Sequence, residues 1–204
     1  MGSRIVSMAT NENTSKQDAI ADAVITLGAE EGISFVSLRN VAKQAGISMG
    51  QVQYYFPTSA DMLASAVQLA LVQLQNYSAT YVMANMGTGS AHELLRAYGE
   101  ALINEDPHVR RIMRVLAQFE STYDRDTRIG ALLARNNPAL QEMTAGIIRA
   151  GMATGVLQGS IDPVEEARLY WTLVGALSVE CAMGASTVER GREVFSYYLN
   201  RLMA

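Results

Sequence analysis

Apolar side chains recur every three to four residues along most of this chain, which is the spacing of one face of an α-helix. The first such set lies between Ser15 and Gly32 and consists of Ile20, Ala23, Val24 and Leu27. No stretch alternates apolar and polar residues with the period of two that a half-buried strand shows. The pattern therefore predicts an all-α fold.

Two short helices follow, with a tight turn between them. Ser37 can cap the first helix and Gly46 can end it. Its apolar positions repeat the helical spacing: Leu38, Val41, Ala42 and Ala45. Only Ile47 separates Gly46 from Ser48, which can cap the second helix. Two short helices joined by a glycine-containing turn form a helix-turn-helix arrangement.

The second of these helices, residues 48–56, is suited to contact something other than its own core. Val52 and Phe56 form one apolar side, and Ser48 can close a capping box with Gln51. Glutamine can pair with an adenine edge and tyrosine can reach phosphate oxygens. The polar side chains therefore suit a recognition helix in a DNA major groove: Gln51, Gln53, Tyr54 and Tyr55. Taken alone, they fit an ordinary surface helix equally well.

The region after Pro57 predicts helices throughout. A long helix starts at the capping pair Thr58 and Asp61 and breaks at residues 87–90. Pro138 either starts a separate helix that runs to Gly155 or kinks the one before it. Further helices are predicted over residues 90–104, 107–122, 124–136, 163–183 and from Ser186 or Thr187 to the C-terminus.

The last two helices are predicted to form a dimer surface. Between Tyr170 and Gly184 the chain is apolar on nearly every side of the helix. The final helix carries an apolar stripe of Val188, Phe195, Leu199 and Leu202. One protomer is not expected to cover both, so we predict a homodimer through about residues 163–203.

Composition and charge restrict the class of protein. The chain has 204 residues, of which 49% are hydrophobic and 18% are charged, as in ordinary globular proteins. Four basic and five acidic side chains give the first 60 residues a formal charge of −1. DNA binding would then depend on hydrogen bonds and helix N-termini, and strong nonspecific binding is not expected.

The sequence shows none of the motifs that are typical of enzymes or of metal and cofactor sites. No nucleophile elbow, phosphate-binding glycine loop or paired metal-ligand spacing occurs, so we expect no enzyme, no metal and no cofactor. The lone Cys181 fits a reducing cytoplasm. Residues 1–13 lack the apolar run of a signal peptide and are predicted to be a flexible arm. Residues 167–185 contain charged side chains and predict a buried helix rather than a membrane span.

Three ordered segments make the interpretation specific. The segments AIADAVITLGAEEG, VSLRNVAKQAGIS and GQVQYYFPTSADML resemble the DNA-binding domain of the tetracycline-repressor (TetR) family over residues 15–64. The resemblance implies an N-terminal three-helix helix-turn-helix DNA-binding domain, residues 14–60. A larger helical effector-binding and dimerisation domain, residues 61–204, would follow it.

The resemblance also implies a set of DNA contacts. Gln51 is predicted to read bases, with Met49 and Gln53 next. The predicted phosphate contacts are Ser37, Tyr54, Tyr55, Thr58 and Lys16, and Arg39 and Lys43 are predicted to lie near either bases or phosphates. The full set is Lys16, Ser37, Arg39, Lys43, Ser48, Met49, Gln51, Gln53, Tyr54, Tyr55 and Thr58. The family commonly has tyrosine in place of Gln53 and lysine in place of Ser59, and both departures remove a phosphate contact.

The implied function is a homodimeric cytoplasmic repressor that a small apolar or aromatic effector releases from double-stranded operator DNA. Residues that can line an effector cavity are Met83, Tyr98, Met113, Gln118, Phe119, Tyr123, Met143 and Trp171. Each of them, taken singly, fits plain core packing as well. The alternative function is a small-molecule-binding helical module with weak or no DNA binding.

Overall fold

The computed structural model describes the backbone of residues 2–124 and 127–204, and their side chains except those of residues 2–13 and 135–137. Within these residues the regular structure is helical, apart from one isolated antiparallel bridge between Leu157 and Met203. The all-α prediction is therefore confirmed. The chain divides into two compact units, of which unit 1 takes residues up to 73 and 114–133 and unit 2 takes residues 74–113 and 134–204.

Unit 1 begins with the predicted helix-turn-helix. Its elements are α1 Gly2–Glu30, a 3-10 helix Ile33–Phe35, α2 Leu38–Ala45, α3 Met49–Tyr55 and the first part of α4 Ser59–Asn85. The apolar faces predicted for α1, α2 and α3 are buried, as at Ile20, Val24, Val41 and Val52. The turn between α2 and α3 starts at Gly46, whose φ of 67° favours glycine.

The helix α1 reaches back to Gly2, through most of the segment 1–13 for which a flexible arm is predicted. The flexibility of this segment stays a prediction. No proline or glycine interrupts the chain between residues 3 and 27, so the helical hydrogen bonds can continue toward the N-terminus. Polarity alone does not end a helix, and Met1 lies outside the described residues.

Unit 2 contains the remaining helices or parts of them. They are the end of α4, α5 Ala91–Glu100, α6 Pro107–Thr122, α7 Arg128–Ala153, α8 Pro163–Met183 and α9 Val188–Asn200, of which α6 and α7 also contribute residues to unit 1. Asp162 caps α8 by accepting hydrogen bonds from the amides of Val164 and Glu165. Of the two candidates for the start of α9, Thr187 is the cap.

Pro138 lies inside α7, so of the two predicted alternatives it does not start a separate helix but belongs to the one before it. A proline removes one backbone hydrogen bond, but the other bonds of a 26-residue helix remain to hold it. Apolar side chains on both sides of the proline are buried, including Ile129 and Ile148. Packing on both sides therefore outweighs the local penalty.

The core of unit 2 is organised around Tyr170. Its side chain is fully buried, and its hydroxyl donates to the carbonyl of Leu95 at 2.7 Å. The Tyr170 ring packs edge-on against Phe195 of α9, with the ring centroids 5.7 Å apart. A buried phenol needs such a partner because an unpaired hydroxyl in an apolar core is costly.

This core also corrects the predicted dimer stripe. Val188, Phe195, Leu199 and Leu202 are all at most 6% exposed and pack in the core of their own unit. The stripe is covered because α9 packs against α5 and α8 of the same chain. A stripe on one helix shows that the face is buried but does not identify its partner.

None of the helices among the described residues is both long and apolar enough to cross a membrane.

We expect Gly99→Ala to lower the free energy of unfolding by about 1–3 kcal/mol, because a Cβ there would overlap the Phe195 ring. The control is Gly146→Ala in α7, where a Cβ meets nothing within 4 Å and should add about 0.5–1 kcal/mol. Urea unfolding of the two variants measures both effects. A gain in stability for Gly99→Ala would contradict the packing described.

Candidate nucleic-acid interface and effector region

The seven-residue helix α3 turns its apolar side inward and its polar side outward. Val52 is fully buried and Phe56, its C-cap, is 6% exposed. Tyr54 is 76% exposed and lies opposite these two side chains. The Tyr54 and Tyr55 rings meet edge to face with centroids 5.2 Å apart. The outward side is therefore a surface of phenol, amide and thioether groups.

The predicted capping box at the start of α3 is present. The Ser48 hydroxyl oxygen accepts from the Gln51 amide at 3.2 Å, and the Gln51 Oε1 accepts from the Ser48 amide at 3.0 Å. The Ser48 hydroxyl also donates to the Gln51 Oε1 at 3.1 Å. The side-chain oxygen of Gln51 is thus engaged within its own helix.

The other predicted DNA contacts also belong to unit 1. Of the eleven predicted residues, Tyr55 is half-buried and the remaining ten are exposed. The Ser37 hydroxyl oxygen caps α2 by accepting from the Asn40 amide at 3.2 Å. Ser37, Arg39 and Lys43 lie at and along α2, and Lys16 lies on α1. Exposure leaves the DNA-contacting roles open to these side chains, and the roles stay predictions.

Thr58, just before the start of α4, has one charged partner, Asp61, which is itself paired with Arg128. Its hydroxyl donates to the Asp61 carboxylate at 2.7 Å, and Asp61 also forms an ion pair with Arg128 at the start of α7. The Thr58 hydroxyl and the Arg128 guanidinium lower the pKa of Asp61, so its carboxylate is ionised at neutral pH. A phosphate near Thr58 would meet this negative charge unless Arg128 compensates for it.

The predicted effector residues fall into both units. Gln118, Phe119 and Tyr123 belong to unit 1, and the other five belong to unit 2: Met83, Tyr98, Met113, Met143 and Trp171. Phe119 is fully buried and its ring lies 5.9 Å from that of Tyr123. Met83 is 77% exposed, and its role as an effector contact stays a prediction.

Gln118 of α6 binds the backbone of unit 1. Its Nε2 donates to the carbonyl of Gly28 at 2.8 Å, and its Oε1 accepts from the amide of Ile33 at 2.8 Å. Gly28 permits this approach because a Cβ there would lie 2.7 Å from Val115 of α6. Gln118 therefore clamps the end of α1 to α6, and this geometry does not support its predicted role in orienting an effector.

In unit 2, Tyr98 and Trp171 pack against the same apolar core. The Trp171 indole nitrogen donates to the Thr144 hydroxyl at 2.8 Å and to the Leu140 carbonyl at 3.1 Å. Its polar atom is thus satisfied, and what the indole can offer a ligand is its ring. Met113 is buried beside Val109 and Ala182, and Met143 is half-buried.

Two contacts of this region were not predicted from the sequence. Arg128 lies 67 residues from its partner Asp61, and Gln118 lies 85 and 90 residues from Ile33 and Gly28. No local spacing connects such pairs; the one available signal is Gly28, because a glycine inside a regular helical pattern often marks a close approach. Across the described residues no group of His, Cys, Asp and Glu side chains has the arrangement of a metal site.

Residues 91–204 match the family described as "BetI-type transcriptional repressor, C-terminal". Among curated proteins, the chain is 36% identical over 58 residues to the HTH-type transcriptional regulator PksA of Bacillus subtilis (strain 168). That alignment spans 28% of this chain and 28% of PksA.

Solved structures match nearly the whole chain. A TetR-family transcriptional regulator from Rhodococcus sp. is 24% identical with a TM-score of 0.76, covering 94% of this chain and 100% of that one. A TetR transcription regulator from Haloarcula marismortui ATCC 43049 is 18% identical with a TM-score of 0.79 and the same coverage. A regulator from Saccharomonospora viridis, solved in complex with choline, is 22% identical with a TM-score of 0.78, covering 94% and 99%. These likenesses show the fold.

We expect Gln118→Met to lower the free energy of unfolding by about 1–3 kcal/mol, because the Ile33 amide and the Gly28 carbonyl lose their partner. Gln75→Met, which alters an exposed glutamine of α4, is the control and should change little. Urea unfolding measures both, and equal stability of the two variants would contradict the clamp.

Proposed function

We propose a function for this chain, which belongs to the TetR family of transcriptional regulators. Its residues 91–204 match a model of that family. Members of this family are ligand-responsive DNA-binding regulators and not enzymes. We propose that this chain binds double-stranded operator DNA as a homodimeric cytoplasmic repressor. A small apolar or aromatic effector then releases it from the operator.

The outward side of α3 is the observation that carries this proposal. Gln53 and Tyr54 are exposed on the second helix of a helix-turn-helix, which is the element that such motifs insert into the major groove. Their amide and phenol groups can donate to bases and phosphates. Because the first 60 residues carry a net charge of −1, affinity depends on hydrogen bonds and local cations more than on overall charge.

The helices α8 and α9 are the proposed dimer contact, through side chains other than the stripe predicted from sequence. One side of α8 repeats at intervals of three and four residues, through Leu169, Thr172, Ala176, Val179 and Met183. Leu169 and Met183 are 55% and 56% exposed, and Tyr197 of α9 is 69% exposed. This spacing suits helix-to-helix packing with a second copy, and a twofold dimer would present two α3 helices to DNA.

The effector must bind the free and DNA-bound forms with different affinities, because otherwise it cannot shift the equilibrium between these two forms. Tyr98 and Trp171 in the core of unit 2 support an aromatic-lined site. Aromatic rings also attract cations, and choline, which is bound in the Saccharomonospora viridis regulator, is therefore a suitable first probe. A rise in melting temperature with choline or with apolar compounds would identify the effector class.

We expect Asp61→Asn to raise the affinity for selected operator DNA roughly two- to fivefold, and Arg128→Gln to lower it by a similar factor. Both changes break the same ion pair, but the first removes a negative charge beside Thr58 and the second leaves that charge uncompensated. Fluorescence anisotropy at several salt concentrations measures both, and the difference should shrink as salt increases.

The wild-type chain is the reference in this experiment. Equal effects of the two variants would assign the ion pair a purely structural role. A wild-type chain that binds no duplex at any salt concentration would contradict the repressor and support the ligand-binding module without DNA binding.

We expect Leu169→Glu, combined with Met183→Glu, to convert the dimer to a monomer in sedimentation experiments, because four charges would enter the contact of two α8 helices. Val72→Glu introduces a charge at an apolar side chain of α4 that is 48% exposed, and serves as the control. A dimer that survives the double change would place the interface elsewhere.

A further inference from the structure

We infer that the two glutamines of α3 read different base edges: Gln51 acts only as a hydrogen-bond donor and selects guanine, whereas Gln53 pairs with adenine. The inference rests on the proposed operator binding and assigns the base specificity of that surface. It differs from the expectation that Gln51 reads adenine with both atoms of its amide.

The capping box determines what Gln51 can offer. A carbonyl oxygen has two lone pairs, and the Gln51 Oε1 accepts from both the amide and the hydroxyl of Ser48, at 3.0 and 3.1 Å. The orientation of the side-chain amide follows from chemistry, because the Ser48 backbone amide is a donor and must face the oxygen. The Nε2 group, with its two hydrogens, is then the part of Gln51 left for a partner.

The edges of the purines differ in what they require. Adenine presents an acceptor at N7 and a donor at N6, so a glutamine must supply both a donor and an acceptor. Guanine presents acceptors at N7 and O6, which two N–H bonds of one amide group can satisfy. With its oxygen engaged, Gln51 is matched to guanine, and at adenine its amide hydrogens would meet the N6 donor.

The side-chain amide of Gln53, unlike that of Gln51, takes no part in the capping box. Its side chain is exposed, and within the described part of the chain neither atom of its amide has a hydrogen-bond partner. Both functions that adenine requires are therefore available. Two residues apart on a helix, Gln51 and Gln53 lie on either side of the outward-facing Tyr54, so they approach different base pairs.

Gln51→Glu separates the two roles of Gln51. A glutamate at this position of a capping box still accepts from Ser48, so α3 keeps its start. The atom that faces outward becomes an acceptor, which suits the N4 donor of cytosine. The substitution should therefore change the preferred base and leave the fold in place.

The experiment is selection of duplexes from a randomised double-stranded DNA library by the full-length wild-type chain and by its variants. The wild-type chain should select guanine at one position of each half-site, and Gln51→Glu should replace it with cytosine by roughly tenfold or more. Gln53→Met, the matched control, should lose a preference for adenine at another position and keep the guanine. Melting temperatures of the variants should remain near that of the wild type.

Ser48→Ala provides an independent arm if Gln51→Glu does not fold. It removes one of the two donors to the Gln51 oxygen, so tolerance of adenine at the guanine position should increase. An unchanged base preference in Gln51→Glu or Ser48→Ala, or adenine selected by the wild type at the position that Gln51→Glu alters, would overturn the inference. Failure of the wild-type chain to select any sequence would instead contradict operator binding itself.

Discussion

The short helix α3 is not stable without its surroundings, and this constraint shapes the proposed DNA-binding surface. Seven residues are too few for a helix to be stable alone in water. Its geometry depends on the capping box between Ser48 and Gln51 and on the burial of Val52 and Phe56. The same helix must leave its other side free for a partner, so a few side chains serve both the fold and the surface.

The polar groups at this surface are consequently not interchangeable. The side-chain oxygen of Gln51 accepts a hydrogen bond in the capping box of α3. The Thr58 hydroxyl donates to Asp61, whose charge is compensated by Arg128. Gln51 and Thr58 are exposed, as Gln53 and Tyr54 are, but a group that is already hydrogen-bonded within the chain has fewer hydrogen bonds left for a DNA partner. If this surface binds DNA as proposed, its selectivity depends on hydrogen-bond geometry more than on attraction to phosphate, because it carries little positive charge.

The candidate effector residues are divided by their packing. Tyr98 and Trp171 belong to a core built around the buried Tyr170 hydroxyl, while Phe119 and Gln118 belong to the unit that contains the helix-turn-helix. Gln118 clamps α6 to the end of α1 where a ligand contact was expected. The residue types alone cannot separate these roles, because aromatic and methionine side chains line cores and ligand sites alike.

Much of this protein follows from its sequence, because helical periodicity and capping are local. The spacing of apolar residues predicted the helix-turn-helix, and Ser37, Gly46 and Ser48 marked boundaries that the fold retains. The continuation of α7 through Pro138, the burial of the α9 stripe and the partners of Gln118 and Arg128 were decided by tertiary structure. Each of these features depends on contacts between residues far apart in the chain. A local apolar pattern shows that one face of a helix is buried, but it does not identify the element that packs against that face.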